Sequence, residues 1–179
     1  MIFTATTIPG AFLVQPERIA DERGFFARTW SREELEARGL DGRLEYAAVS
    51  WNHRERTLRG MHYQIAPLEE AKLVCCLRGA VHDVILDLRR GSPARNRWFA
   101  ARLDAVSMQG LYVPPGIAHG FLTLEDDTLV QYHLSEAWSP QHARGVRWDD
   151  PAFRIDWPAQ PAVMSERDRN YRDFTRSSP

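Results

Sequence analysis

Two histidines, His62 and His119, lie in stretches whose residue types could support chemistry. His62 stands inside residues 57–64, an apolar-rich stretch typical of a strand, and Arg59 precedes it by three positions. His119 follows a Pro-Pro-Gly turn within residues 111–121. If both strands line one cavity, two imidazoles and a guanidinium converge there. Neutral imidazole accepts a proton near pH 7, so the arrangement suits a general base.

The same histidines could instead bind a metal or be structural residues with satisfied ring nitrogens. Residues 114–119 resemble the P-x-G-x-x-H half of the cupin signature. The other half usually carries H-x-H, and here the strand reads His62-Tyr63-Gln64, so a second ligand is missing. Because a metal site normally needs three or four ligands, we expect no bound metal and no cofactor.

Two further side chains, Lys72 and Tyr132, could hold or donate protons. Lys72 has apolar neighbours on its strand and points either to solvent or into a polar cavity, and the pattern alone favours solvent. Alternation places Tyr132 with Val130 and Leu134 on the predicted inner face. A phenol there is either a core residue or a proton donor.

Arginines beside glycines and aromatic residues suit a phosphate or pyrophosphate, because guanidinium binds such groups in a forked geometry. Arg23 stands near Phe26, and Arg59 precedes a glycine. The sequence contains no Gly-rich phosphate loop. Side chains would therefore hold any phosphates, and surface ion pairing of the arginines is the alternative.

Length and composition limit the class of protein. A chain of 179 residues with net charge -1 fits one domain and gives no indication of nucleic-acid binding. We expect no signal peptide, because the N-terminus lacks a basic start followed by an apolar run, and no membrane span, because no apolar segment has the necessary length. Cys75 and Cys76 are adjacent and point to opposite faces of a strand, so we expect buried, reduced thiols and a cytoplasmic protein.

Short strands separated by Gly, Pro and Asp turns predict an all-β antiparallel sandwich or barrel. One helix is expected over residues 31–39, with Ser31 as its cap, and residues from about 148 are expected to wrap around the barrel within the same domain. The predicted strands cover residues 11–18, 23–30, 45–51, 57–64, 71–77, 80–88, 97–103, 109–113, 119–124 and 128–134.

Nine short stretches follow one another in a characteristic order within residues 3–173. They are Asp21-Glu22-Arg23-Gly24-Phe25-Phe26, Leu58-Arg59-Gly60-Met61-His62-Tyr63-Gln64, Ala71-Lys72-Leu73-Val74, Asp83-Val84, Asp87-Leu88-Arg89, Gly91-Ser92-Pro93, residues 114–121, Trp148-Asp149-Asp150-Pro151 and Trp157-Pro158. Together these stretches resemble the dTDP-4-dehydrorhamnose 3,5-epimerase family. The resemblance implies a cupin-type β jelly roll, usually a homodimer, that inverts carbons beside the ketone of a nucleotide-linked 4-keto-6-deoxy sugar.

The resemblance also implies roles for individual residues. His62 would be the base, and Asp168 would orient its ring. Lys72 would face the developing enolate oxygen, and Tyr132 would return a proton on the opposite face. Substrate contacts would come from four further positions, the first two of them reaching across a dimer interface: Arg23, Phe26, Arg59 and His119.

This chain also departs from the family pattern. The family often carries a Q-x-N-x-S row before the Leu58 strand, and we expect Ala47 and Val49 to mark two missing amides in the recognition site. Arg28 replaces a common glutamate, and Trp138 replaces a common tyrosine at a predicted substrate-binding position.

We therefore predict an epimerase acting at C3, C5 or both, with a nucleotide-diphosphate sugar as its substrate. One alternative is a single-position epimerase or keto-isomerase that uses a sugar linked to a nucleotide other than dTDP. Another is a non-catalytic nucleotide-sugar-binding cupin, and a third is a metal-dependent cupin oxygenase. The predicted base and acid argue against a non-catalytic cupin, and the missing H-x-H motif argues against a metal-dependent oxygenase.

Overall fold

The computed structural model describes residues 1–174. Short strands dominate it, and both helices are brief, which confirms the all-β prediction. The elements in chain order are β1 (Ile2–Ala5), β2 (Phe12–Gln15), β3 (Arg18–Asp21), β4 (Gly24–Ala27), α1 (Arg32–Glu36), β5 (Tyr46–Asn52), β6 (Thr57–Gln64), β7 (Lys72–Arg78), β8 (Ala80–Asp87), β9 (Trp98–Asp104), β10 (Gly110–Val113), β11 (Ile117–Thr123), β12 (Thr128–Leu134), β13 (Ala143–Gly145), β14 (Val163–Met164) and α2 (Glu166–Arg169).

Two large sheets make up the body of the fold. The first has six strands in the order β1-β2-β10-β7-β12-β5, and the second has five in the order β13-β6-β11-β8-β9. All of these neighbours are antiparallel, and within the described residues only the short β14 adds to β6 in parallel. Side chains from both sheets form one apolar cluster that includes Val74, Ile85, Phe121 and Val130, all at most 1% exposed.

The N-terminal region differs in detail from the sequence prediction. The predicted strand over residues 11–18 is interrupted at Pro16, so its last residue belongs to β3 in a separate hairpin with β4. A proline lacks the N–H that a central strand would need, which explains the break. The short strands β1, β13 and β14 were not predicted.

Helix α1 begins where the sequence predicts and ends earlier. The Ser31 hydroxyl accepts a hydrogen bond from the Glu34 N–H at 3.3 Å, which confirms the cap. The Glu34 carboxylate binds the N-terminal ammonium of Met1 at 2.7 Å. After Glu36 the chain turns out of the helix, and Gly39 adopts a positive φ of 70°.

Strands β6 and β11 approach each other unusually closely at two glycines. A Cβ on Gly60 would lie 2.4 Å from the Cα of Gly120, so any side chain there would force the strands apart. In the register of these two strands His62 lies directly opposite His119. The two glycines therefore allow a close approach of the strands that carry the histidines.

The chain after β13 packs against the second sheet, as predicted for a wrap. Val146 and Phe153 are buried in a cluster with Met61 and Val84, and Phe174 packs on the same cluster. We propose on this basis that the chain is one domain; residues 175–179, the end of that predicted domain, lie outside the described residues. None of the described helices has the length and apolar character needed to cross a membrane.

Candidate active site

A cavity of about 680 Å³ opens between the two sheets. Its walls come from β5, β7 and β12 on one side and from β6, β11 and β13 on the other, with β14 and α2 closing one flank. It contains most of the predicted site residues, namely His62, Lys72, Tyr132, Asp168, Arg59, His119 and Trp138.

His62 and Asp168 form a hydrogen-bonded pair in this cavity. The His62 Nε2 lies 2.6 Å from the Asp168 Oδ1, although the two residues are 106 positions apart. A carboxylate at Nε2 holds the proton on that nitrogen and leaves the lone pair on Nδ1. Nδ1 has no hydrogen-bond partner among residues 1–174, and the His62 side chain is 41% exposed. The ring can therefore accept a proton from a molecule in the cavity.

Helix α2 fixes the carboxylate of this pair. The Ser165 hydroxyl caps the helix by accepting from the Asp168 N–H at 3.1 Å, and the Gly60 N–H donates to Asp168 Oδ2 at 3.3 Å. Burial alone would raise the pKa of Asp168. The hydrogen bond and charge of His62, together with the Gly60 and Ser165 hydrogen bonds, outweigh burial and lower that pKa. Asp168 is therefore a carboxylate at neutral pH.

Lys72 points into the cavity, so the solvent orientation favoured by its sequence pattern is wrong. Its side chain is 8% exposed, and Nζ lies 2.9 Å from the Glu70 Oε1. Nζ also donates to the His62 carbonyl at 3.2 Å. The partner carboxylate two residues earlier explains how a lysine is tolerated here, because a buried charge needs an opposite charge beside it.

Tyr132 approaches from the six-stranded sheet, opposite the sheet that carries His62. Its hydroxyl lies 3.4 Å from the Ser50 hydroxyl. Burial raises the pKa of Tyr132 well above its usual value, with the Ser50 hydrogen bond opposing the shift. The phenol therefore stays protonated near pH 7 and can serve as a proton donor.

His119 belongs to a second imidazole–carboxylate pair. Its Nε2 lies 2.9 Å from the Asp83 Oδ2, and the two side chains are 5% and 0% exposed. The ring also packs edge-on against Tyr132, with centroids 6.2 Å apart. The sequence motifs include Asp83 but predict no role for it, because no local pattern links it to His119, which lies 36 positions later.

Among residues 1–174, three guanidinium groups line the cavity, from Arg59, Arg144 and Arg167. Arg59 is held by Asn52, whose Oδ1 accepts from Nε at 2.7 Å. Sequence reasoning missed the other two. Arg167 could have been found, because it directly precedes Asp168, the residue that the resemblance predicts to orient the His62 ring. Arg144 lies on the short unpredicted strand β13.

Two predicted substrate contacts are absent from the cavity of their own chain. Arg23 and Phe26 lie on the β3–β4 hairpin, where the Arg23 side chain is 84% exposed and bonded to Asp21, and Phe26 is 69% exposed. Arg28 is also exposed and pairs with Glu34 at 3.4 Å. A sequence pattern cannot show that a hairpin projects from the body.

The expectation that Ala47 and Val49 belong to the recognition site is wrong. Both lie on the outer face of β5, and Val49 is 61% exposed. Alternate residues of a strand point to opposite faces, so a shift of one position exchanges the two sets. The cavity is lined instead by Tyr46, Ala48 and Ser50.

The profile of the dTDP-4-dehydrorhamnose 3,5-epimerase family matches residues 5–176, which is nearly the whole chain. The chain belongs to the dTDP-4-dehydrorhamnose 3,5-epimerase family. It is 38% identical to the dTDP-4-dehydrorhamnose 3,5-epimerase of Sinorhizobium fredii over 169 residues, covering 94% of this chain and 87% of that protein. The dTDP-4-dehydrorhamnose 3-epimerase of Streptomyces niveus is 39% identical over 164 residues, covering 91% of this chain and 79% of that protein.

A solved structure of a family member agrees with the fold. The dTDP-4-dehydrorhamnose 3,5-epimerase of Bacillus anthracis, crystallised with TDP and pyrophosphate, superposes with a TM-score of 0.92 at 35% identity, covering 97% of this chain and 99% of that one. The family resemblance and its cupin-type jelly roll are thereby confirmed. Within the described residues no three His, Cys, Asp or Glu side chains cluster as metal ligands. The absence of a metal stays a prediction.

Proposed function

We propose that this chain inverts one or both carbons beside the ketone of a dTDP-linked 4-keto-6-deoxyhexose. Family membership supports the reaction class. The observation that carries the proposal is the placement of a carboxylate-backed imidazole, His62, on one wall of the cavity and a protonated phenol, Tyr132, on the opposite wall. A site for binding alone has no need of a base and an acid on facing walls.

In the proposed reaction the Nδ1 of His62 removes a proton from a carbon next to the ketone. The C–H bond breaks, and its electron pair moves into an enolate whose charge lies on the ketone oxygen. Asp168 holds the ring and stabilises the imidazolium that forms. Lys72 supplies the cation that stabilises the enolate oxygen, a contribution that is among the largest in such reactions.

Tyr132 completes the inversion by donating its proton to the opposite face of the same carbon. The tyrosinate then regains a proton from water, and His62 releases its proton to water, so the enzyme returns to its starting state. The raised pKa of the phenol suits this role, because the proton is present at neutral pH and is transferred only to a strong base such as an enolate.

The nucleotide is proposed to lie toward the arginines and Trp138. Arg59, Arg144 and Arg167 together supply the positive charge that a pyrophosphate requires, and Trp138 is 59% exposed at the cavity wall, which leaves its ring available for stacking on a base. The Bacillus anthracis relative binds TDP.

The number of carbons inverted is tested directly by solvent exchange. Relatives named as 3,5-epimerase and 3-epimerase are 38% and 39% identical to this chain, so identity favours neither. Incubating 4-keto-6-deoxyhexoses linked to thymidine or uridine diphosphate in deuterated water labels each carbon that the enzyme deprotonates. Label at C3, C5 or both supports the proposal, and binding without label indicates a non-catalytic cupin.

The assembly is proposed to be a homodimer in which the β3–β4 hairpin contacts the partner. Ile19, Phe25 and Phe26 are 68%, 48% and 69% exposed on this hairpin, and such apolar surface is typical of an interface. Arg23 and Phe26 would then contribute to the partner's cavity. Light scattering should give a dimer at micromolar concentration that Phe26→Asp weakens, and a wild-type monomer would reject the proposal.

A cytoplasmic location is proposed from the two thiols. Cys75 and Cys76 are buried and free, and burial raises their pKa values to about 12 and about 11, so both stay unreactive thiols. Cell fractionation would test this location.

A further inference from the structure

Glu70 is a buried carboxylate at the cavity wall that the proposed reaction does not use directly. The residue is 9% exposed and stands two positions before Lys72. Its Oε1 is paired with the Lys72 Nζ at 2.9 Å. Its Oε2 is fully buried, and no donor among residues 1–174 reaches it. A buried acceptor without a donor is costly and uncommon in folded proteins. A hydrogen-bond donor on a molecule bound in the cavity would satisfy this atom.

The charges around Glu70 indicate what kind of group it would accept. Lys72 already offsets the negative charge, so a second cation is not required. An ionised carboxylate can only accept hydrogen bonds, which makes a neutral hydroxyl the suitable partner. Tyr46 lies close enough that the charge of Glu70 adds to burial in raising the pKa of its phenol. The Tyr46 hydroxyl is therefore the competing partner within the chain.

The chemistry of the sugar selects one hydroxyl. In a 4-keto-6-deoxyhexose, C5 carries a methyl group and the ring oxygen, whereas C3 carries a hydroxyl. The two oxygens of one carboxylate are neighbours, so groups bound at Oε1 and Oε2 are neighbours as well. If Lys72 binds the ketone oxygen at C4, the group nearest to Oε2 that can donate is the C3 hydroxyl.

We infer that Glu70 is a specificity-determining residue whose Oε2 accepts a hydrogen bond from the C3 hydroxyl of the bound hexose, while Oε1 holds Lys72 toward the ketone. This inference rests on the proposed function. A site built to bind a substrate hydroxyl discriminates strongly against an analogue that lacks it, because the site's own polar group is then left unpaired. Glu70 should therefore make the enzyme prefer a 3-hydroxy substrate over its 3-deoxy analogue.

The test combines changes in the residue with a change in the substrate. Solvent deuterium incorporation next to the ketone is measured for dTDP-4-keto-6-deoxyglucose and its 3-deoxy analogue, which both retain acidic α-hydrogens. The wild type should prefer the 3-hydroxy substrate in kcat/KM. Glu70→Ala should reduce that preference at least about tenfold, and Glu70→Gln should reduce it less, since the amide keeps an acceptor. Glu69→Gln, at the exposed neighbouring position, should keep the wild-type preference.

Each outcome decides a different question. If the Glu70 variants slow both substrates equally, Glu70 only positions Lys72 and the inference is overturned. If Tyr46→Phe alone removes the preference, the Tyr46 phenol and not Glu70 recognises the substrate. If the wild type labels neither sugar, the proposed function itself fails. Calorimetric titration with dTDP tests whether each variant is folded. If Glu70→Ala binds no dTDP, the ratio of kcat/KM for the two substrates is measured with Glu70→Gln and decides instead.

Discussion

Two imidazole–carboxylate pairs lie side by side in this fold, and they differ chiefly in exposure. His62 and His119 are register partners on β6 and β11, and each ring binds a carboxylate through Nε2. The His62 side chain is 41% exposed, whereas the His119 side chain is 5% exposed. The same two functional groups therefore occupy an open site and a closed one.

The supports of the two pairs differ in the same way. Asp83 belongs to a central strand of the second sheet and is wholly buried. Asp168 comes from α2 in the C-terminal wrap, which adds the carboxylate from outside the sheet. Placing a carboxylate behind a ring does not make a base. The ring also needs a nitrogen that a substrate can reach, which His62 has.

The largest expected effect is on turnover. His62→Asn should lower kcat by about 10²–10⁴-fold, the usual contribution of one general base, while dTDP affinity stays close to that of the wild type. His119→Asn is the matched change in the closed pair and should reduce kcat less. Steady-state kinetics on both variants measures the difference. A smaller loss in His62→Asn than in His119→Asn would reverse the assignment of the base.

The next effect is on stability, and here substitution in the closed pair should cost more than substitution in the open pair. His119→Ala leaves the Asp83 carboxyl buried without its ring partner and should cost about 3–5 kcal/mol of unfolding free energy. His62→Ala should cost less, since Asp168 keeps the Gly60 N–H. Urea denaturation at one protein concentration compares them. Equal losses would show that the difference in burial has no energetic consequence.

A smaller effect is expected on nucleotide binding, through a residue that belongs to neither imidazole–carboxylate pair. Trp138→Ala should weaken dTDP binding by about 1–3 kcal/mol, the scale of one base–aromatic stack, with little change in kcat. Trp51→Ala is the control, because Trp51 is similarly exposed at 56% and does not line the cavity. Calorimetric titration measures both. Equal affinities for wild type and Trp138→Ala would place the base elsewhere.

The smallest effect is a pH dependence specific to the open pair. The pKa of Asp168 is lowered from its usual value of 3.8, so its contribution to stability is complete above that pH and is lost as the pH falls through the lowered pKa. The stability difference between wild type and Asp168→Asn should therefore shrink as the pH falls below about 4. Denaturation midpoints across pH 2–7 measure it. A difference that grows on acidification would contradict the sign of the shift.

The strand pattern predicted most of the fold because alternation and turn residues are local signals. It could not show which polar side chains face the internal cavity, because a charged residue at an alternating position can point either to solvent or into a polar cavity. Lys72 shows this most clearly. Its orientation depends on Glu70 and on the opposing sheet, and neither is visible in the strand that carries it.

The site depended on contacts that local patterns do not contain. Asp168 reaches His62 across 106 positions, and only the family resemblance connected them in the sequence. On β5 the cavity is lined by Tyr46, Ala48 and Ser50, whereas the sequence motif placed the recognition site at Ala47 and Val49. The family motifs located the strand, but the structure was needed to show which face of the sheet each side chain occupies.

The central claim is that a base on one wall and an acid on the other act on the same carbon. It is tested most directly by following deuterium incorporation and configuration together in Tyr132→Phe and His62→Asn. Tyr132→Phe should still incorporate deuterium beside the ketone but with retained configuration, because the base remains and the opposite-face donor is gone. His62→Asn should incorporate almost none. Wild-type inversion in Tyr132→Phe, or rapid exchange in His62→Asn, would contradict the account.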